Sequence, residues 1–146
     1  MSHSIENTRR RNPMWVYEHN YALLAHLFPA LLAGDRDRET VEAGAGRLEL
    51  RVVERCPYTL MVEVAHFLAG AGRWAAHFRM RVRVYRDARL GEVVECQDSG
   101  RLLPEYPWPN ARMFHRDEKH QANRLLREWL FVAWRERRPS PAAAGA

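Results

Sequence analysis

The chain has 146 residues, 47% of them hydrophobic, and a formal net charge of +5, the size and apolar content of one ordinary domain with one core. Its longest apolar runs, such as Leu130 to Ala133, fall far short of the roughly 20 residues that span a bilayer, so no membrane partner is expected. The basic N-terminus is not followed by an apolar stretch that would form a signal-peptide core, and a cytoplasmic protein is expected.

The charge sits mostly at the ends. Arg9, Arg10 and Arg11 face Glu6 in residues 1–13, and Arg135, Arg137 and Arg138 face Glu136 in residues 135–146. Residues 14–134 are left nearly neutral, which argues against reading the basic total as a nucleic-acid-binding face. All but one of the 23 cationic side chains are arginine, Lys119 being the exception. The two cysteines, Cys56 and Cys96, lack the clustering of a zinc site or a disulfide framework. Free thiols are expected, with a single bridge between them as the alternative.

Asn12 followed by Pro13 opens a helix, since Asn caps and Pro is tolerated at the first helical position. Met14, Tyr17, Tyr21, Leu24 and Phe28, widened by Leu23 and Leu27, predict its core stripe. Pro29 ends it near Phe28, and the chain leaves through Gly34-Asp35-Arg36-Asp37. From residue 39 the period changes to two. Glu39 to Ala43 and the Leu48, Leu50, Val52 alternation form a hairpin about Gly44-Ala45-Gly46. Leu60, Val62 and Val64 mark the next strand, Phe78 to Tyr85 the most regular one, and Leu90 to Cys96 a further one after the Arg86-Asp87-Ala88-Arg89 turn. Residues 98–114 read as irregular, with Pro104, Pro107 and Pro109 removing donors. A second helix runs from about Arg116 to Glu136, with Ala122, Leu125, Leu126, Trp129, Leu130 and Ala133 on its apolar side.

Successive strands with short turns require an antiparallel sheet. The expected fold is therefore α+β, a two-layer sandwich in which an antiparallel meander of about five strands carries an N-terminal and a C-terminal helix on one face. Residues 1–12 are expected to be a flexible basic arm, 13–137 a single α+β domain and 138–146 a disordered tail.

The run Phe-His-Arg-Asp-Glu-Lys-His-Gln-Ala-Asn-Arg-Leu-Leu-Arg-Glu-Trp-Leu over residues 114–130 resembles the signature of the YqiB-like bacterial family of unknown function. The resemblance extends over most of residues 17–134, including Glu-His-Asn-Tyr-Ala-Leu-Leu-Ala-His-Leu-Phe-Pro and Tyr-Pro-Trp-Pro-Asn. It implies a cytoplasmic protein of unassigned activity and supplies no mechanism.

His115, Arg116, Asp117, Glu118, Lys119, His120 and Gln121 form the densest set of reactive side chains. Arg116, Lys119 and His120 share one helical face, and Asp117 lies three residues from His120, a spacing at which a carboxylate orients a general base. The plainer reading is that Asp117 and Glu118 favour the helix start and Lys119 supports it by local pairing. His115 and His120 point in different directions, so no metal site is assigned. Arg79, Arg81 and Arg83, with Tyr85, occupy one strand face and could grip phosphate, but cross-strand pairing with Glu49, Glu54, Glu63, Glu92 or Glu95 is the favoured reading. Trp15, Trp74 and Trp108 suit core closure more than a pocket, and His19, His26, His66 and His77 are given no role.

A non-catalytic binding or adaptor domain is expected on these grounds, acting on a protein or small-molecule partner through residues 115–121 with Tyr106 and Asn110 of the preceding loop. The alternative is a hydrolase-like enzyme for a phosphorylated or nucleotide-like ligand, using Asp117, His120 and the strand arginines. Weak RNA binding is a third and less favoured reading. No catalytic residue and no cofactor is assigned, and the oligomeric state is left open.

Overall fold

The structure is a computed structural model that describes residues 12–44, 46–70, 73–98 and 116–137. Helix α1 spans Pro13–Leu27. Asn12 caps it, its Oδ1 accepting the Met14 N–H at 3.0 Å, with Pro13 in the first turn. Phe28 breaks the helix at φ −131°, and Pro29 opens a short second helix, α2 (Pro29–Ala33), where a loop was expected. The same fixed φ that stops one helix starts the next. Gly34 closes α2 in the left-handed region at φ 96°, which a residue without Cβ adopts freely.

Five strands follow in a meander: β1 (Arg38–Ala43), β2 (Gly46–Arg55), β3 (Thr59–Gly70), β4 (Arg73–Tyr85) and β5 (Leu90–Asp98). All neighbours are antiparallel and the sheet order equals the chain order, as expected. The Arg55 guanidinium holds the α2–β1 connection against β2, donating to Leu31 O at 3.2 Å, Arg36 O at 2.7 Å and Asp37 Oδ1 at 3.0 Å. The last helix, α3, spans Arg116–Glu136.

Alternation gives the sheet two unlike faces. Leu48, Leu50, Leu60, Val62, Val64, Met80, Val82, Val84 and Val93 are almost wholly buried beneath the helices, where Leu24, Ala122, Leu126, Leu130 and Ala133 meet them. Trp129 closes this layer, stacked on His66 at 4.5 Å and edge-on to Phe78 at 6.0 Å. His66, given no role from sequence, is thus a packing residue. The other face is open and charged. Cys56 and Cys96 are not bridged to each other.

The stripe of α1 differs from its expected line. Val16, Asn20, Leu23 and Leu24 are buried, whereas Met14 is 47% exposed and Tyr17 and Tyr21 are half-buried. The buried line runs through Asn20 because α1 lies along the rim of the sheet, where an amide finds backbone partners.

Candidate functional site at the β5 edge

An edge strand offers backbone groups that need partners. Two fully buried asparagines answer those of β5. Asn123 Oδ1 accepts the Val93 N–H at 2.8 Å, and its Nδ2 donates to Lys119 O at 2.9 Å. Asn20 Nδ2 donates to Gly91 O at 3.3 Å and to Asn123 O at 3.4 Å. Gly91 permits this approach, since a Cβ there would stand 3.3 Å from both Asn20 Cβ and Tyr21 N. These contacts hold α1 and the start of α3 at the same edge.

Beside them, four elements bring together one polar cluster. Glu92 of β5 lies opposite Arg83 of β4 in register. Its Oε2 takes the Lys119 ammonium from α3, and its Oε1 accepts the Tyr85 hydroxyl at 3.3 Å. Tyr17 of α1 is close enough to feel all three. Burial opposes the charge of Lys119, but the hydrogen bond and charge of Glu92, aided by both phenols, outweigh it, and the Lys119 pKa is raised. Burial raises the Tyr17 pKa, with Lys119 opposing and Glu92 and Tyr85 adding to it. Near neutral pH Lys119 is therefore an ammonium and Tyr17 a neutral phenol. These are hydrogen-bonding groups, and the amine is held away from the free-base form a nucleophile needs.

Of the sequence candidates, Lys119 and Tyr85 meet here, with Arg83 alongside. Arg79 pairs with Glu63 at 3.1 Å and Arg81 with Glu95 at 3.7 Å, the cross-strand pairing that the sequence allowed. Arg83 forms no ion pair with another described residue. Glu118 is half-buried, with Oε2 enclosed and lacking a hydrogen-bond partner among the described residues, His120 is half-buried and Gln121 is exposed. His115, Tyr106, Asn110 and Trp108 lie outside the described residues, as do the side chains of Arg116, Asp117 and Trp74. Arg79 and Arg81 lie on the open face, engaged by Glu63 and Glu95, and of the three strand arginines only Arg83 stands beside the Glu92–Lys119 pair.

Glu92, Tyr17, Asn20 and Asn123 were not singled out as a site. Glu92 read only as an arginine partner and Tyr17 only as core. Signals were present: Asn20 falls four residues from both Val16 and Leu24, inside the apolar spacing, and Lys119 is the single lysine of the chain. Among the described residues no group of three His, Cys, Asp or Glu side chains stands as a metal site. No helix there is long and apolar enough to cross a membrane.

The uncharacterized protein YqiB of Escherichia coli strain K12 is 34% identical to this chain over 119 residues, covering 80% of this chain and 82% of YqiB. YqiB of Escherichia coli O157:H7 matches equally. No solved structure matches. The resemblance carried by residues 114–130 is borne out. Residues 23–138, which take in the whole sheet and α3, match the family described as "Protein of unknown function (DUF1249)", and the chain belongs to that family.

Proposed function

We propose that the chain is a non-catalytic binding domain whose partner docks at the β5 edge, on the first turn of α3 and the adjoining corner of the open sheet face. The observation that carries this reading is the place of the single lysine. Arginine fills every other cationic position, yet an ammonium stands where Glu92, Tyr85 and Tyr17 converge. An ammonium is a compact point charge with three rotatable donors, whereas a guanidinium is a planar fork. The corner accommodates the former and keeps it charged. Arg83 beside Glu92 adds a second cation. A protein or small molecule carrying carbonyl or carboxylate acceptors suits such a corner.

The hydrolase-like alternative needs Asp117 and His120 to share a pocket with Arg79, Arg81 and Arg83, and it is disfavoured because Arg79 and Arg81 are engaged by Glu63 and Glu95. RNA binding by the sheet is disfavoured by the carboxylates that answer Arg79 and Arg81.

The test recovers wild type, Lys119→Met and Lys119→Arg, each of confirmed fold, from an Escherichia coli lysate and identifies bound material by mass spectrometry. The expected result is a ligand or protein retained by wild type, lost from Lys119→Met and diminished on Lys119→Arg. Three identical profiles would overturn the reading and leave Lys119 as scaffold.

A further inference from the structure

On the β1 side of the open face, away from the β5 edge, lies a half-enclosed cavity of about 240 Å³ walled by Arg38, Arg51, Arg79, Glu49 and Glu63. Its origin is the register. Thr40, Glu49, Ala65 and Arg79 form one row across β1 to β4, and Arg38, Arg51 and Glu63 form the next. Ala65 is the short member among long side chains and is 4% exposed, the floor of the pit.

The charges around this pit do not cancel. Arg38 and Arg51 face each other directly across strands, an arrangement that is unfavourable for like charges. Glu63 is divided between two arginines, Oε2 to Arg51 at 3.5 Å and Oε1 to Arg79 at 3.1 Å. Glu49 is answered by Arg47 at 3.8 Å, and Glu39, at the rim, by Arg36 at 3.8 Å. Arg38 has no ion pair with a described residue. The lining carries three guanidiniums and three carboxylates, and with Arg36 and Arg47, which answer Glu39 and Glu49 from beside it, five cations stand against three anions, two positive charges in excess. Each guanidinium carries five donors, and Glu63 engages one nitrogen of Arg51 and one of Arg79. The carboxylate holds the two forks in place and leaves their other donors available.

We propose that this cavity binds the phosphate group of a small phosphate monoester. The group is a dianion above its second pKa of about 6, which matches the excess charge, and its oxygens suit several guanidinium forks at once. The volume lies below the roughly 300–1,000 Å³ of pockets for drug-sized ligands, which selects a compact molecule over a nucleotide.

The full chain is titrated with inorganic phosphate and with glycerol phosphate at constant ionic strength, and amide chemical shifts are followed by NMR. Saturable shifts of pit residues are expected, with affinity falling about tenfold in Arg38→Gln and in Arg79→Gln, and falling also as pH is lowered from about 8 to about 5. Arg124→Gln removes equal charge from an exposed position of α3 and is expected to leave affinity unchanged. Unperturbed amide spectra outside the pit establish that each variant is folded. The proposal is overturned by the lack of saturation below about 10 mM, by saturable binding that survives both pit substitutions, or by equal weakening in Arg124→Gln, which would mark diffuse attraction.

Discussion

Asn123 is fully buried and satisfies the outer N–H of Val93. Its replacement by Ala strands that donor, so Asn123→Ala is expected to cost about 2 kcal/mol, read from denaturant midpoints; a loss below about 0.5 kcal/mol would mean that water takes over the bond. The cluster beside it makes stability depend on pH. Lys119 and Tyr17 have raised pKa values, so each binds its proton more tightly in the folded state. The stability they contribute is whole below their ordinary values of 10.5 and 10.0 and is lost as pH rises through the folded values. Tyr17→Phe is expected to flatten the alkaline limb of the stability curve. His19 has the opposite sign. Burial first, then the nearby Arg127, lowers its pKa below 6.5, so its contribution is present above that value and is lost as pH falls through the folded one. His19→Gln should flatten the acid limb, and a curve parallel to wild type would refute the assignment. None of these partnerships was legible along the chain. A side chain's charge is written in the sequence, but its partner is chosen by register and packing.

At the scale of elements, glycines mark where backbones approach. A Cβ at Gly46 would stand 2.6 Å from the Phe67 carbonyl of β3, so Gly46→Ala forces the β2–β3 pairing apart. A loss of about 1–3 kcal/mol is expected. At Gly91 the nearest atoms are 3.3 Å away, and Gly91→Ala is expected to cost less than Gly46→Ala in the same thermal-melt series. The reverse order would show α1 to be the stiffer neighbour. Local signals account for most elements: α3 spans Arg116–Glu136 as the sequence predicts, and the turn at 86–89 separates β4 from β5 as expected. They failed where one residue serves two elements. Pro29 reads as a stop, while Phe28 and Gly34 let it also act as a start. The stripe of α1 misled because amphipathic reading counts only apolar residues, and the centre of the buried face here includes Asn20.

For the whole molecule, α1 and α3 together cover one face of the sheet, and α3 touches both edge strands, β1 and β5. A chain ending at Asp98 would leave Leu48, Leu50, Val62, Met80 and Val82 open to water. It is expected to lose cooperative unfolding and to bind a hydrophobic dye; a sharp transition in the truncated chain would mean that α1 and the sheet suffice. Length, period and turn chemistry in the sequence determined the class, the count and order of the strands, and the two long helices, because each depends on residues a few positions apart. Only the tertiary structure decided the site. Tyr17, Tyr85, Glu92 and Lys119 belong to four elements, and a meander with a covering helix is what makes them neighbours. It decided also that Arg79 and Arg81 are answered while Arg38 and Arg51 stand face to face, since a one-residue change of register would move each of them to the other side of the sheet.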